Sequence, residues 1–332
     1  MKATKFLKSC LVALATLNVA NLYAQEKASP AAPASSLTSA RVEPGLPGKA
    51  PKTSMAPRVI QPSDPKMTIT SAPAVSMVER AETTGLQALD AAADLVAPWS
   101  TSKPGLGNRY VFGKDDRVQV TNTTAYPYCA IVSLEMTFPN GQVFIGSGCF
   151  ISYQTVLTAG HCVYDRSQGG WARSIKVMPG RNGNSLPFGY GYAAGLNSVT
   201  GWTSNGDRAY DYGAIRMPDR TLGNRVGYFG YSSQTDSYLK NQSNVFNTAG
   251  YPGDKGGTKM YFTSGQISNV SSNNLYYYFD IMGGQSGSPI WSYQNGNRYV
   301  IGIVTAEYRD GSGPNIGTRV NTSVFNFIKS LP

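Results

Sequence analysis

Beyond residue 110 the chain is interrupted every few residues by Gly, Asn, Ser or Pro, and this punctuation leaves room for short strands but little else. Between the breaks lie "YCAIVSLEM", "VFIGSGCFIS", "TVLTA", "SIKVMPG", "YGAIRM", "NVFNTAGYPG", "LYYYFDI" and "RYVIGIVTAEY". Their β-branched and aromatic residues suit a pleated, half-buried surface. The first two flank "TFPNGQ", whose Asn140-Gly141 pair supplies the backbone freedom that a tight hairpin turn needs. No alternation of strands with helical patterns is visible, so a parallel sheet with crossover helices is not expected. The last residues, "NTSVFNFIKSL", space Val324, Phe327, Ile328 and Leu331 as one face of a helix. Many strands and one terminal helix predict an all-β antiparallel barrel or sandwich.

The chain before residue 110 has a different composition. Residues 25–109 hold 11 of the 20 prolines and no tyrosine, whereas 20 of the 21 tyrosines lie from residue 110 onward. The stretch "ASPAAPASSLTSARVEPGLPGKAPKTSMAP" is low in complexity and has too little apolar surface to order itself. A short helical pattern follows at 75–95. The first residues, "MKATKFLKSCLVALATLNVANLYAQ", carry Lys2, Lys5 and Lys8, then an apolar run, then a small residue at Ala24. That is the plan of a secretory signal over residues 1–24, too short and too broken for a membrane span. The expectation is export and, after signal removal, no membrane attachment. Net charge is +10 but has no basic run with interleaved aromatics, so nucleic-acid binding has no support.

The single histidine of the chain, His161, sits in "LTAGHCVYD". Imidazole is the usual proton carrier near neutrality. In "MGGQSGSPI", Ser286 stands among Gly283, Gly284 and Gly287, residues that let a backbone turn tightly and aim N–H groups inward. Two such groups beside a serine hydroxyl make an oxyanion hole, each donor being worth roughly 3 kcal/mol in the transition state. The α/β-hydrolase elbow would need glycine where Ser288 stands, so that fold is excluded. In "AYDYGAIRM", Asp211 precedes an alternating strand and could fix the tautomer of the His161 ring. Asp207 and Asp219 are the rival carboxylates.

Taken in order, "TAGHC", "DYGAI" and "GQSGSP" resemble the three catalytic motifs of the chymotrypsin-like serine peptidases. "TNTTAYPYCAIV", "TAGHCVYD", "PGRNG", "YDYGAI", "VGYFGYS", "GYPGDK", "GGQSGSP" and "GTRV" narrow the resemblance to the secreted bacterial glutamyl endopeptidases. It covers about residues 110–330. It implies two six-stranded antiparallel β-barrels with the site between them and a C-terminal helix. It assigns nucleophilic attack to Ser286, proton transfer to His161, ring orientation to Asp211, and oxyanion binding to the N–H groups of Gly284 and Ser286. It implies protein or peptide substrates, a monomer, and no metal or other cofactor; a single histidine also argues against a hydrolytic zinc site, which commonly uses two or three.

The resemblance further implies cleavage after Arg109, with the mature protease domain, residues 110–332, starting at Tyr110 and residues 25–109 serving as a propeptide. Gln285 stands where animal zymogens carry an Asp for their new N-terminus. Two positions depart from the glutamyl pattern: relatives carry His and Thr as carboxylate readers where this chain has Val304 and Ile281. Asp280 occupies the position of the basic-residue anchor of trypsin-like enzymes. Expected specificity is therefore for Arg or Lys if Asp280 faces the pocket and for apolar residues if it turns away. Thr305, Arg319 and the Tyr110 α-amino group are the remaining polar groups that could read a carboxylate. Relatives pair the Cys after the histidine with one at the position of Gly146. Here Cys149–Cys162 and Cys129–Cys149 are the candidate pairs, with one thiol left over. The rival function is a secreted binding module, an inactive homologue on the same barrels.

Overall fold

The computed structural model describes residues 69–71, 111–294, 296–306 and 313–332. The expected signal peptide at 1–24, nearly all of the expected propeptide with its helical pattern at 75–95, and the expected cut between Arg109 and Tyr110 lie outside the described residues.

The punctuated strands assemble into two curled antiparallel sheets. In the first, Gly213–Arg216, Thr155–Thr158, Val143–Phe150, Ile131–Thr137 and Ser174–Pro179 lie side by side. Asn140 and Gly141 make the hairpin between Ile131–Thr137 and Val143–Phe150, with Gly141 at φ 82°. The sheet closes through one bent stretch of chain. Gly191–Tyr192 pairs with Ser174–Pro179, the N–H of Ala193 donates to Ile175 O at 2.9 Å, that of Ala194 to Arg216 O at 2.8 Å, and Gly195–Val199 continues along Gly213–Arg216. Counted as a single strand, this stretch gives the expected barrel of six.

The second barrel uses the same device. Tyr261–Gly265 pairs with Phe246–Gly250, and past Gln266 the chain pairs as Ile267–Val270 with Asn274–Tyr277. Asn315–Arg319, Asn297–Ala306 and Pro289–Gln294 complete the ring. With each bent stretch counted as two strands, one short extra strand brings the first sheet to eight and two bring the second to nine. Ile69–Ser71 lies on the outer edge of Gly195–Val199, Val118–Gln119 on Tyr261–Gly265, and Gly230–Tyr231 runs parallel to Asn297–Ala306.

Alternation along the strands fills the cores. Val132, Leu134 and Met136 point into the first barrel with Phe150, Val156, Ile175 and Ile215. Phe246, Leu275, Tyr277, Ile290 and Ile301 fill the second. A third cluster joins the barrels to the C-terminal helix Thr322–Lys329 around Trp291, Phe229, Tyr212 and Phe327. Each of these large side chains contributes about 1.5–3 kcal/mol by leaving water. The helix starts where Asn321 accepts the N–H of Val324 at 3.0 Å, and it buries Val324, Phe327 and Ile328, the face expected from their spacing. Among the described residues no helix is long and apolar enough to cross a membrane.

All three described cysteines are free and buried, so neither expected pairing forms. Cys149 lies in the cluster between the barrels, where burial pushes its thiol pKa up, and Cys129 donates to Val226 O at 3.3 Å with its pKa pushed up to about 12. Gly146 faces the third: a Cβ built there stands 3.0 Å from Cys162 Sγ. That is roughly the separation across a disulfide with its 2.04 Å bond. The other close atoms are those of Met136, a flexible side chain. In a Gly146→Cys variant the introduced thiol should therefore oxidise with Cys162 and add about 3 kcal/mol of stability, the value for a loop of roughly 15 residues. Thiol titration of the unfolded, unreduced variant checks this; a count of free thiols equal to the reduced sample would reject it.

Candidate active site

His161 sits in the one-turn helix Gly160–Val163 at the end of strand Thr155–Thr158. Asp211 ends the turn Arg208–Tyr210 just before strand Gly213–Arg216. Those two strands are paired, which brings the residues together. The contact has two points: the backbone N–H of His161 donates to Asp211 Oδ1 at 2.8 Å, and the ring Nδ1 lies 2.8 Å from Oδ2. An ionised carboxylate only accepts, so the ring carries its proton on Nδ1 and leaves Nε2 as the acceptor. Gly160 makes the approach possible, since a Cβ there would stand 3.0 Å from Asp211 Oδ1 and 2.9 Å from the Trp202 ring. Asp211 is buried, its own carbonyl accepts from Thr318 Oγ1 of the second barrel at 3.1 Å, and Tyr212 beside it packs edge-on to Phe327 at 5.1 Å. The rival carboxylates serve as turn caps: Asp207 accepts the N–H of Ala209 at 3.0 Å and Asp219 that of Thr221 at 2.7 Å.

Ser286 comes from the second barrel, in the loop before strand Pro289–Gln294. Its carbonyl accepts the N–H of Ser147 at 2.8 Å and lies 3.8 Å from Cys162 Sγ, beside His161. Gly284 and Gly287 adopt φ of 94° and 85°. At Gly287 a Cβ would meet Ser147 O and Thr158 Oγ1, both at 2.2 Å, so only glycine fits. Gln285, fully buried, accepts the N–H of Met282 at 2.9 Å with its side chain and so closes the loop from within. The N–H groups of Gly284 and Ser286 have no acceptor among the described residues.

Of the residues expected to line the specificity pocket, Val304 lies beside the Ser286 loop: its carbonyl accepts the N–H of Gly287 at 2.7 Å and its N–H donates to Ser288 O at 2.9 Å. Ile281 and Val304 are packed in the core of the second barrel. The Asp280 carboxylate accepts the N–H of Phe112 at 2.7 Å and of Asp116 at 3.0 Å. Thr305 donates to Ile316 O at 3.4 Å, and Arg319 binds Asp236, Ser271 O and Gln234 O. The Asp280 contacts were not expected from the sequence; the charged run in "VFGKDDR" was the only sign that this segment binds anything.

A family model described as Trypsin matches residues 115–328, and the chain belongs to that family of serine endopeptidases. The glutamyl endopeptidase of Bacillus licheniformis is 41% identical over 234 residues, covering 68% of this chain and 70% of the relative. A solved Glu endopeptidase in complex with MPD superimposes with a TM-score of 0.58 at 29% identity, covering 66% of this chain and 97% of that one. A Bacillus subtilis protein named as an extracellular metalloprotease is 38% identical over 221 residues, 66% of this chain and 68% of the relative. Among the described residues no group of three or more His, Cys, Asp or Glu is placed to hold a metal ion.

Burial of the His161 ring disfavours its charge, but the Asp211 carboxylate, with the Cys162 thiol beside it, outweighs burial and holds the pKa well above 6.5. The imidazolium therefore persists to higher pH than in a free histidine. The chain has one imidazole, so one set of ring resonances reports it. Their NMR midpoint should lie above 6.5 and fall in Asp211→Asn, which removes the countercharge. An unchanged midpoint would mean that Asp211 does not set it.

Proposed function

We propose that this chain is exported, loses residues 1–24 and 25–109, and as residues 110–332 hydrolyses peptide bonds in extracellular proteins through Ser286, His161 and Asp211. The observation that carries the reading is the two-point His161–Asp211 contact next to a loop whose Gly284 and Ser286 N–H groups have no acceptor among the described residues, Ser286 O lying 3.8 Å from the Sγ of Cys162, the residue after His161. Ser286 Oγ attacks the scissile carbonyl while His161 Nε2 takes its proton. The tetrahedral oxyanion is held by the two free N–H groups. His161 returns the proton to the leaving amine, and water repeats the cycle on the acyl-enzyme. Asp211 keeps the tautomer and stabilises the imidazolium. A fluorophosphonate should add once, on Ser286, to a secreted species whose N-terminus reads "YVFGK", and Ser286→Ala should lose turnover by several orders of magnitude. A folded, processed sample that takes no label favours the binding-module reading.

Specificity follows from what the pocket lacks. The relatives named as glutamyl endopeptidases cleave, by that name, at glutamate. Here Ile281 and Val304 are apolar and buried, and Asp280 is 1% exposed with an N–H of its own chain on each oxygen, so this carboxylate is held inside the protein rather than presented to a basic side chain. A substrate carboxylate left unpaired on entering this site costs several kcal/mol in desolvation, and a substrate ammonium finds no exposed counterion in Asp280. The reading is cleavage after uncharged, mainly apolar residues. Digestion of a peptide library shows the residue before each cut. Val304→His with Ile281→Thr should raise cleavage after Glu; predominant Glu cleavage by the unaltered enzyme would refute the reading.

A further inference from the structure

We propose that Phe112–Arg117 is a positioning strap that clamps the loop carrying Ser286, with Asp280 and Asp254 as its two anchors. The proposal rests on Ser286 being the nucleophile. Asp280 lies six residues before Ser286 in the chain. A carboxylate that is 1% exposed needs donors, and the strap supplies both: the N–H of Phe112 on Oδ1 and that of Asp116 on Oδ2. The ring of Phe112 stands edge-on to Tyr278 at 5.1 Å on the same approach to the loop.

The other end of the strap reaches the loop from below. The side chain of Arg117 is fully buried and forks between two carboxylates. It holds Asp115 through Nε at 2.9 Å and Nη2 at 3.0 Å, and Asp254 through Nη1 at 3.0 Å and Nη2 at 2.6 Å. Lys255 adds a 2.8 Å contact to Asp115. Asp254 and Lys255 belong to the turn Gly253–Lys255, and the N–H of Gly253 donates to Gly283 O at 2.7 Å. A Cβ on Gly284 would stand 2.6 Å from Tyr251 O and 3.0 Å from Gly253 N. The turn gripped by Arg117 is thus the support under Gly283 and Gly284.

The strap therefore ties together the two flanks of one loop, Asp280 on its approach and the Gly253 turn beneath its glycines. Neither anchor meets the substrate. Both act through the direction in which the Gly284 and Ser286 N–H groups point. Displacing such groups by about 1 Å costs on the order of 100-fold in rate. The head of the strap lies next to the proposed cut after Arg109, so the segment that processing exposes is the one that holds the loop.

The test uses the processed enzyme and a double-mutant cycle of Asp280→Asn and Asp254→Asn, with Arg117→Ala and Arg117→Lys alongside. Each single change should slow labelling of Ser286 and lower kcat by about tenfold or more, with KM nearly unchanged. The double variant should be little worse than the poorer single one, because either loss frees the same strap. Arg117→Lys should recover part of what Arg117→Ala loses. Additive losses, losses in KM alone, or variants that label at the wild-type rate would overturn the clamp. Asp254 is on the surface, so if Asp280→Asn fails to accumulate, the kcat-against-KM split of Asp254→Asn decides alone. A wild-type enzyme that does not label at all sinks the nucleophile assignment itself, and the clamp with it.

Discussion

The arrangement of the site depends on Ser147, a fully buried serine in the first barrel whose every polar group is committed to the junction. Its N–H donates to Ser286 O, its hydroxyl donates to Gly284 O at 2.9 Å and accepts the N–H of Tyr251 at 3.0 Å, and its carbonyl accepts from Thr158 Oγ1 at 2.7 Å. One residue of the His161 barrel thereby sets the height of the loop that carries Ser286 in the other. Burying a hydroxyl and an amide without partners costs free energy, so any sliding of one barrel on the other would leave several such groups orphaned together. Thr318 on Asp211 O and Phe327 on Tyr212 repeat the coupling in the opposite direction, from the second barrel and the helix to the carboxylate.

Local chemistry made much of this legible in the sequence. Asn140-Gly141 specifies its hairpin, Val324, Phe327 and Ile328 specify the buried face of the last helix, and short β runs between turn residues specify an all-β fold. His161, Asp211 and Ser286 were singled out by the resemblance of three motifs taken in order, and the structure brings the first two into contact. The closure of each barrel was not legible. It depends on bends at Ala193-Ala194 and at Gln266, where extended pairing continues on both sides and the neighbouring Gly195 and Gly265 read as ordinary turn punctuation. The partners of Asp280 were hidden for another reason: they are backbone N–H groups more than 160 residues away, and backbone donors leave no trace in side-chain identity.

The same position can serve opposite ends according to what reaches it first. A carboxylate on the approach to Ser286 can select a cationic substrate only where a substrate can reach it. Asp280 instead receives two N–H groups from its own chain, and Ile281 and Val304 are absorbed into the second barrel. These side chains serve internal order. Gln285 does likewise: it answers Met282 inside the loop rather than reaching for a charged chain terminus.

The three-residue strand Ile69–Ser71 has a consequence of its own. It covers the outer edge of Gly195–Val199 by pairing Ile69 with Val199 and Ser71 with Asn197. So short a ladder is weak by itself and owes its occupancy to the tether that keeps it near, a matter of effective concentration. A cut after Arg109 would sever that tether without touching the strand. Pairing would change from an intramolecular to a bimolecular equilibrium, and dilution outside the cell would pull the strand off. The Gly195–Val199 edge, covered while the chain is whole, would then stand open to any extended backbone nearby.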